Sequence, residues 1–363
     1  MAGVLDGGDP ALVVAPAGEG DSELHALRVG DAIDDDVALV ATTSGTTGAP
    51  KGALLTAAAL VASASATHDR LGGPGSWLLA LPPHHIAGVQ VLVRSVLAGS
   101  TPVELDVSAG FDVTQLPGAV RRLGAGRRYT SLVAAQLAKA LTDAAATAAL
   151  ANLDAVLIGG GPAPRPVLEA AAEAGIAVVR TYGMSETAGG CVYDGVPLDG
   201  VRLRVTDGRI VIGGSTLAKG YRNPVDPDPF AEPGWFRTDD VGAIDDAGVL
   251  TVLGRADDAI STGGLTVLPQ PVEAALCTHP AVSDCAVFGL ADPTLGQRVV
   301  AAVVVSDGCA PPTLDELRAH VSRALDATAA PRELHIVAAL PRRGIGKVDR
   351  AALVRQFANA GDQ

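Results

Sequence analysis

Residues 42–52 read TTSGTTGAPKG, hydroxyls and glycines in alternation that close on Lys51. Glycine lets a backbone turn tightly and present its N–H groups to an anion, and a lysine adds one compact, mobile cation. The chemistry this combination suits is the cradling of a phosphate. The segment is not the GxxxxGK[ST] loop of P-loop nucleotidases, because no serine or threonine follows the lysine, so a P-loop kinase is excluded. Lysine is otherwise confined to Lys139, Lys219 and Lys347, while arginine carries most of the positive charge. A lysine kept inside a glycine-rich segment of such a chain invites a chemical reason. His84 and His85 stand side by side in PPHHIAG at 82–88 with no third ligand near, so the pair is not a metal site. On a loop only one of two adjacent rings faces a site, and His85 is the candidate.

These groups need elements to position them. Residues 37–40 (VALV) read as a short buried strand running into the glycine-rich segment, and Thr56 is placed to cap the Ala-rich helix beyond it. The same order recurs: strand 77–81, the loop carrying the histidines, helix 89–98; strand 129–133, helix 134–147; strand 155–161 into a glycine loop, helix 164–175; then strand 176–183 into a further loop. Such alternation argues for α/β layers with ligands at the carboxyl ends of the strands. From 201, short strands joined by Asp-Gly turns make a small β-rich module. After 257, helices and strands resume as a compact α+β unit of about 100 residues, a normal domain size. The expected fold class is α/β. Residues 1–256 form a large layered N-terminal domain with the β-rich module, and residues 257–363 a small α+β C-terminal domain, divided near Asp257.

The phosphate loop resembles that of the adenylate-forming superfamily: acyl-CoA synthetases, peptide-synthetase adenylation domains and luciferases. Further segments resemble that superfamily's signatures in the same order: YGMSET at 182–187, GWFRTDDVG at 234–242, GR at 254–255 and LPRRGIGKVDR at 340–350. The resemblance covers residues 40 to 350, and the joint occurrence of these segments is highly specific. It implies that Thr43, Ser44, Gly45, Thr46, Thr47, Gly48 and Lys51 hold the triphosphate. Tyr182 stacks on adenine among Gly160, Gly161, Thr181, Gly183, Met184 and Ser185. Glu186, with Thr46, holds Mg²⁺, a hard cation suited to a carboxylate that bridges to phosphate oxygens. By register Asp240 accepts from the ribose, with Asp239 as the alternative because Asp stands where the family has Gly. Arg255 reaches the same ribose. Asp257 falls at the family's hinge, which makes the small domain mobile, and Lys347 matches the catalytic lysine. Family members carry roughly a further hundred residues, a domain's worth, ahead of the phosphate loop. The large domain is therefore expected to be truncated at its N-terminus.

Carboxylate and triphosphate repel each other, so a catalyst must neutralise both. The resemblance implies that Lys51 and the loop N–H groups do so for the phosphates and that Lys347 bridges the attacking carboxylate and the α-phosphate. The product is an acyl-adenylate. The small domain then turns about Asp257, and Gly263 and Gly264 in TGGLTV line the approach of the coenzyme A thiol. In the details of 82–99, 131–137, 158–164 and 181–195 the chain looks most like the short actinobacterial branch of the 2-succinylbenzoate–CoA ligases of menaquinone biosynthesis. That places His85, Gly159, Gly160, Ser185 and Thr187 around the acyl group, with Arg94 and Lys139 as the two cations for a second carboxylate. The rivals are an aryl or medium-chain acyl-CoA synthetase, an amino-acid adenylation domain and a non-catalytic nucleotide binder. The amino-acid reading lacks an Asp at the gate, since Phe111-Asp112 comes well after HHIAG.

Composition removes other classes. The formal net charge of −13 disfavours nucleic-acid backbones as partners. No apolar run reaches the about 18 residues of a membrane span. The start MAGVLDGGDP has neither a basic nor an apolar leader, so a cytoplasmic protein is expected. Cys191, Cys277, Cys285 and Cys309 form no CxxC pair, so the thiols are expected to be reduced. The partners implied are a small carboxylic acid, ATP and coenzyme A, and the resemblance also allows a homodimer.

Overall fold

The computed structural model describes residues 1–14, 24–42, 50–343 and 347–358. Its largest sheet crosses the strands Val196–Pro197, Gly189–Tyr193, Val178–Met184, Ala155–Gly159, Arg128–Val133, Ser76–Leu79 and Val103–Glu104, in that order. Pairings from Val103–Glu104 to Val178–Met184 are parallel, and the two strands beyond are antiparallel. Successive strand residues point to opposite faces. Leu78, Leu132, Val156 and Ile158 accordingly enter one core, while Trp77, Leu79, Tyr129, Ala155 and Leu157 enter another. Helices cover both faces, so the strands are apolar nearly throughout, as a doubly covered parallel sheet requires.

Several expected elements differ in their bounds. The helix after the histidines starts at once, spanning Ile86–Leu97, with His85 as its N-cap. The expected helix 134–147 is two, Ala134–Leu141 and Ala144–Ala151, because the Asp143 side chain accepts from the Ala146 amide and starts a new N-terminus. Thr56 caps helix Ala57–Arg70 by accepting from the Ala59 amide at 3.0 Å. Between the phosphate loop and that cap lies a strand the sequence reading missed, Ala53–Thr56, antiparallel to Val37–Ala41. The loop thus joins two paired strands rather than a strand and a helix.

The β-rich module is a four-stranded antiparallel sheet of Val201–Thr206, Arg209–Gly214, Trp235–Ile244 and Leu250–Arg255. Its first hairpin turns through Asp207 and Gly208, at φ 51° and 74°, the left-handed pair that matches strand twist. Beyond it, Leu265–Val267, Ile260–Thr262, Gly296–Val305, Val282–Asp292 and Glu333–Ile336 build a five-stranded sheet. Helices Pro269–Leu276 and Leu314–Val321 cover one face of this sheet and Arg350–Ala358 the other. Each apolar core lies wholly at or before Leu250 or wholly at or after Ile260. All four cysteines are free thiols, and no helix among the described residues is long and apolar enough to cross a membrane.

Candidate active site

Thr43, Ser44, Gly45, Thr46, Thr47 and Gly48 lie outside the described residues; the exit of their loop does not. Gly52 has φ 69°, and a Cβ there would come within 2.6 Å of the Leu27 side chain, so only glycine fits. The exit is fastened by residues 218–223. The Asn223 and Arg222 amides donate to the Lys51 and Gly52 carbonyls at 3.0 and 2.7 Å, and Asn223 Nδ2 donates to the Pro50 carbonyl at 2.8 Å. Leu54 exchanges bonds with the same segment, donating to Gly220 and accepting from Lys219. Lys51 Nζ stands 5.4 Å from the Tyr221 ring centroid.

The second wall is strand Val178–Met184 and the 3-10 turn Ser185–Thr187. Ala188 leaves the turn in the left-handed region at φ 50°. Glu186 is 8% exposed, and its Oε1 accepts from the Tyr221 hydroxyl at 2.6 Å. Ser185 Oγ reaches back to the Thr42 carbonyl at 3.3 Å, joining this wall to the entrance of the phosphate loop. Thr181 Oγ1 donates to the Ile158 carbonyl, and a Cβ on Gly159 would meet that oxygen at 2.4 Å. Gly160 follows at φ 81°. The glycine loop and strand Val178–Met184 therefore press together at the carboxyl end of the sheet. The Thr187 side chain is fully buried and its hydroxyl is bound to the Met184 and Gly189 carbonyls, so it ties the turn.

The Asp pair is separated by strand alternation. Asp240 is tucked in, its side chain 13% exposed, and Oδ2 accepts from the Tyr182 hydroxyl at 2.7 Å. Asp239 is 60% exposed and faces Arg209 and Arg255 at 3.1 and 3.5 Å. Of the two, Asp240 is the one brought to Tyr182. Burial raises its pKa, opposed by the Tyr182 hydrogen bond and by the charges of Arg255 and Lys347. Burial and then Asp240 push the Tyr182 phenol well above its ordinary range, so it stays a donor. Arg255 lies 3.8 Å from Asp240 and forks onto Asp257 at 2.8 and 2.7 Å.

Lys347 is exposed at the start of the short strand Lys347–Val348. Its charge adds a minor lowering influence on the pKa of both Asp240 and His85. His85 has a pKa lowered to about 4, chiefly by burial, then by His84, whose ring centroid is 4.4 Å away, and then by Lys347. The ring is neutral at pH 7.

The two cations weighed for a second carboxylate separate sharply. Lys139 is exposed and donates to the Phe111 carbonyl at 2.6 Å, on a helix packed against the sheet face opposite Ile86–Leu97. Arg94 is 3% exposed, lies 4.9 Å from the Trp77 ring and donates to the Tyr193 hydroxyl at 3.2 Å. Among the described residues no carboxylate pairs with it, and its Nε has no hydrogen-bond partner. One turn nearer the gate, Gln90 is 1% exposed and its Oε1 is also without a partner. Gly263 and Gly264, at φ 57° and 80°, form the turn of the hairpin joining Ile260–Thr262 to Leu265–Val267.

The sequence reading missed Tyr221, Asn223, Gln90 and Tyr193. Tyr221 and Asn223 carry a signal, an aromatic and an amide inside the glycine- and proline-bearing stretch GYRNP. Gln90 and Tyr193 lie within apolar runs, and nothing local separates them from ordinary core polar groups.

The chain belongs to the AMP-binding enzyme family, whose sequence model matches residues 11–222, with the AMP-binding enzyme C-terminal domain matching 271–347. It is 80% identical over 363 residues to a probable 2-succinylbenzoate–CoA ligase of Mycobacterium tuberculosis, covering 99% of this chain and 94% of that protein. Among solved structures it is similar to the o-succinylbenzoate CoA synthetase of Bacillus subtilis in complex with the acyl-adenylate intermediate OSB-AMP. That match has a TM-score of 0.77 and 28% identity, over 97% of this chain and 80% of that one. The same Bacillus enzyme in complex with ATP and magnesium ion matches with a TM-score of 0.74 and 30% identity, over 87% and 70% of the two chains.

Proposed function

We infer that this protein is an AMP-forming acid–thiol ligase that activates 2-succinylbenzoate with ATP and passes the acyl group to coenzyme A. The observation that carries the reading is Asp240, held by the Tyr182 hydroxyl at 2.7 Å beside Arg255, in a chain 80% identical to a probable 2-succinylbenzoate–CoA ligase. Lys347, which matches the catalytic lysine, would supply a cation where charge shifts as the carboxylate attacks the α-phosphate and pyrophosphate departs.

The chain's own groups then take these parts. Lys51 and the loop backbone hold the β- and γ-phosphates. Tyr182 and the wall of Gly159, Gly160 and Gly161 receive adenine, with Thr181, Gly183, Met184 and Ser185 in the same wall. Asp240 and Arg255 take the ribose hydroxyls. His85, neutral, stands at the acyl entrance without adding a charge. Arg94, a buried guanidinium without an acid, receives the substrate's second carboxylate, and this supports a diacid over a medium-chain fatty acid. A carboxylate arriving there offsets the cost of keeping that cation out of water.

Mg²⁺ fits this site. Glu186 is nearly buried, and only one of its oxygens is occupied by a described donor. No cluster of three or more His, Cys, Asp or Glu occurs among the described residues, so a hard cation would complete its oxygens from phosphate and water. When bound, the ion would supply charge neutralisation to the departing pyrophosphate.

The separate cores on either side of 257 support a division into 1–256 and 257–363 with Asp257 as the hinge. Gly263 and Gly264 would meet the coenzyme A thiol after the small domain turns. The test is pyrophosphate release with 2-succinylbenzoate, benzoates, medium-chain acids and amino acids, each with and without coenzyme A. Release with 2-succinylbenzoate alone, speeded by coenzyme A, is expected; release led by another acid would discard the substrate, and no release with any would discard the activity.

A further inference from the structure

We propose that Tyr221 is the positioning residue of the triphosphate and cation site, holding Glu186 and Lys51 apart so that both charges remain available to the nucleotide. The proposal rests on the reading of Glu186 as the metal-facing carboxylate. Three elements meet at this side chain. Its backbone bridges Ala53, at the end of the phosphate loop's exit. Its hydroxyl donates to Glu186 Oε1 at 2.6 Å. Its ring lies 5.4 Å from Lys51 Nζ. The ring is itself fixed, edge-on to Phe230 at 5.5 Å, while Phe230 packs on Phe236 at 4.7 Å.

The arrangement answers an electrostatic problem. A lysine and a nearly buried carboxylate that share one neighbour would gain by pairing directly, and a direct pair would spend both charges on each other. No such pair forms among the described residues. A phenol that donates to one Glu186 oxygen brings no counter-charge, which leaves the carboxylate to be matched by a cation. The electron-rich ring face gives Lys51 an attraction that is weaker than an ion pair and readily exchanged for phosphate. Fixing a ligating carboxylate by an outer hydrogen bond also removes rotamers that metal binding would otherwise have to freeze. The segment around Tyr221 is fastened to the loop exit by the bonds of Lys219, Arg222 and Asn223, so its aim is set by backbone and not by side-chain packing alone.

The test uses the full chain, Mn²⁺ as the probe and a non-hydrolysable ATP analogue. Tyr221→Phe keeps the ring, and with it the Phe230 and Lys51 contacts, and removes only the hydroxyl. Free Mn²⁺, read by electron paramagnetic resonance, is expected to show affinity in the analogue complex weakened about tenfold or more. Analogue affinity without divalent metal should stay within about twofold, because the Lys51 contact survives. Tyr221→Leu should weaken metal-free analogue binding as well. Parent-like Mn²⁺ affinity in Tyr221→Phe would overturn the proposal, and so would an equal loss of metal-free analogue binding, which marks a general structural role. Glu186→Gln separates the premise from the inference: if it binds Mn²⁺ as the parent does, the reading of Glu186 fails, whatever Tyr221→Phe shows.

Discussion

Asp239 and Asp240 are chemically identical neighbours, and only the pleat tells them apart. Asp240 bonds to Tyr182 in a nearly buried position, while Asp239 is exposed between two arginines. A charge-assisted hydrogen bond to a substrate is worth about 1.5–3 kcal/mol. Asp240→Ala should therefore weaken ATP binding about tenfold or more by calorimetry, and Asp239→Ala much less; the reverse order would put the wrong carboxylate on the ribose. Arg94 makes the opposite kind of prediction. A buried ion without a counter-charge costs stability, and an apolar replacement of similar volume is commonly neutral or stabilising. Arg94→Met should keep or raise Tm while raising KM for the diacid about tenfold. An analogue with its second carboxylate esterified should show no such change. His85 sets a pH signature. Its pKa is lowered to about 4, against about 6.5 in the unfolded chain. Below pH 6.5 the unfolded state takes up the proton first, so the stability due to His85 is present above about 6.5 and lost as pH falls through about 4. The His85 ring resonances should accordingly titrate near 4; a midpoint near 6.5 would mean the ring is solvated.

At the scale of elements, the site depends on close backbone crossings. Gly183 sits at a register shift between Val178–Met184 and Gly189–Tyr193, and a Cβ there would meet the Gly189 carbonyl oxygen at 2.1 Å. Backbone cannot give way as a side chain does. Gly183→Ala should cost about 1–3 kcal/mol in denaturant unfolding and impair ATP binding with it, because the shift aims Tyr182. Unchanged stability would mean the crossing is loose. This scale also explains what could be read from the chain. The alternation of strands and helices was legible because the central strands are apolar on both faces, and Lys51 and Lys347 stood out because lysine is rare in this chain. Strand Ala53–Thr56 was not, since four residues between a glycine and a helix cap carry too little pattern. Lys139 and Arg94 looked alike because each is one cation on an Ala- or Val-rich helix. Which face of the sheet each helix covers is a tertiary fact, and it leaves Lys139 exposed and Arg94 buried. Tyr221 acts through three elements distant in sequence, which no local pattern encodes.

At the scale of the whole molecule, no apolar core among the described residues spans residue 257, and Lys347 lies beyond that position. Arg350, three residues beyond it, donates to Asp258 at 3.1 Å, to Glu273 at 2.6 Å and to the Val287 carbonyl at 3.1 Å. The lysine's strand is thereby fastened close to residues just after 257, and on our proposal of Asp257 as the hinge a turn there would carry Lys347 with it. We propose that a cation required for adenylation but in the way of the thiol is then withdrawn as one unit. Lys347→Ala tests this directly when the two half-reactions are measured apart. The account predicts that acyl-adenylate formation from ATP and acid falls by about 10²–10³, as for loss of one transition-state charge stabiliser. Thioester formation from supplied acyl-adenylate and coenzyme A should proceed at the parent rate. Equal loss of both half-reactions would contradict the account.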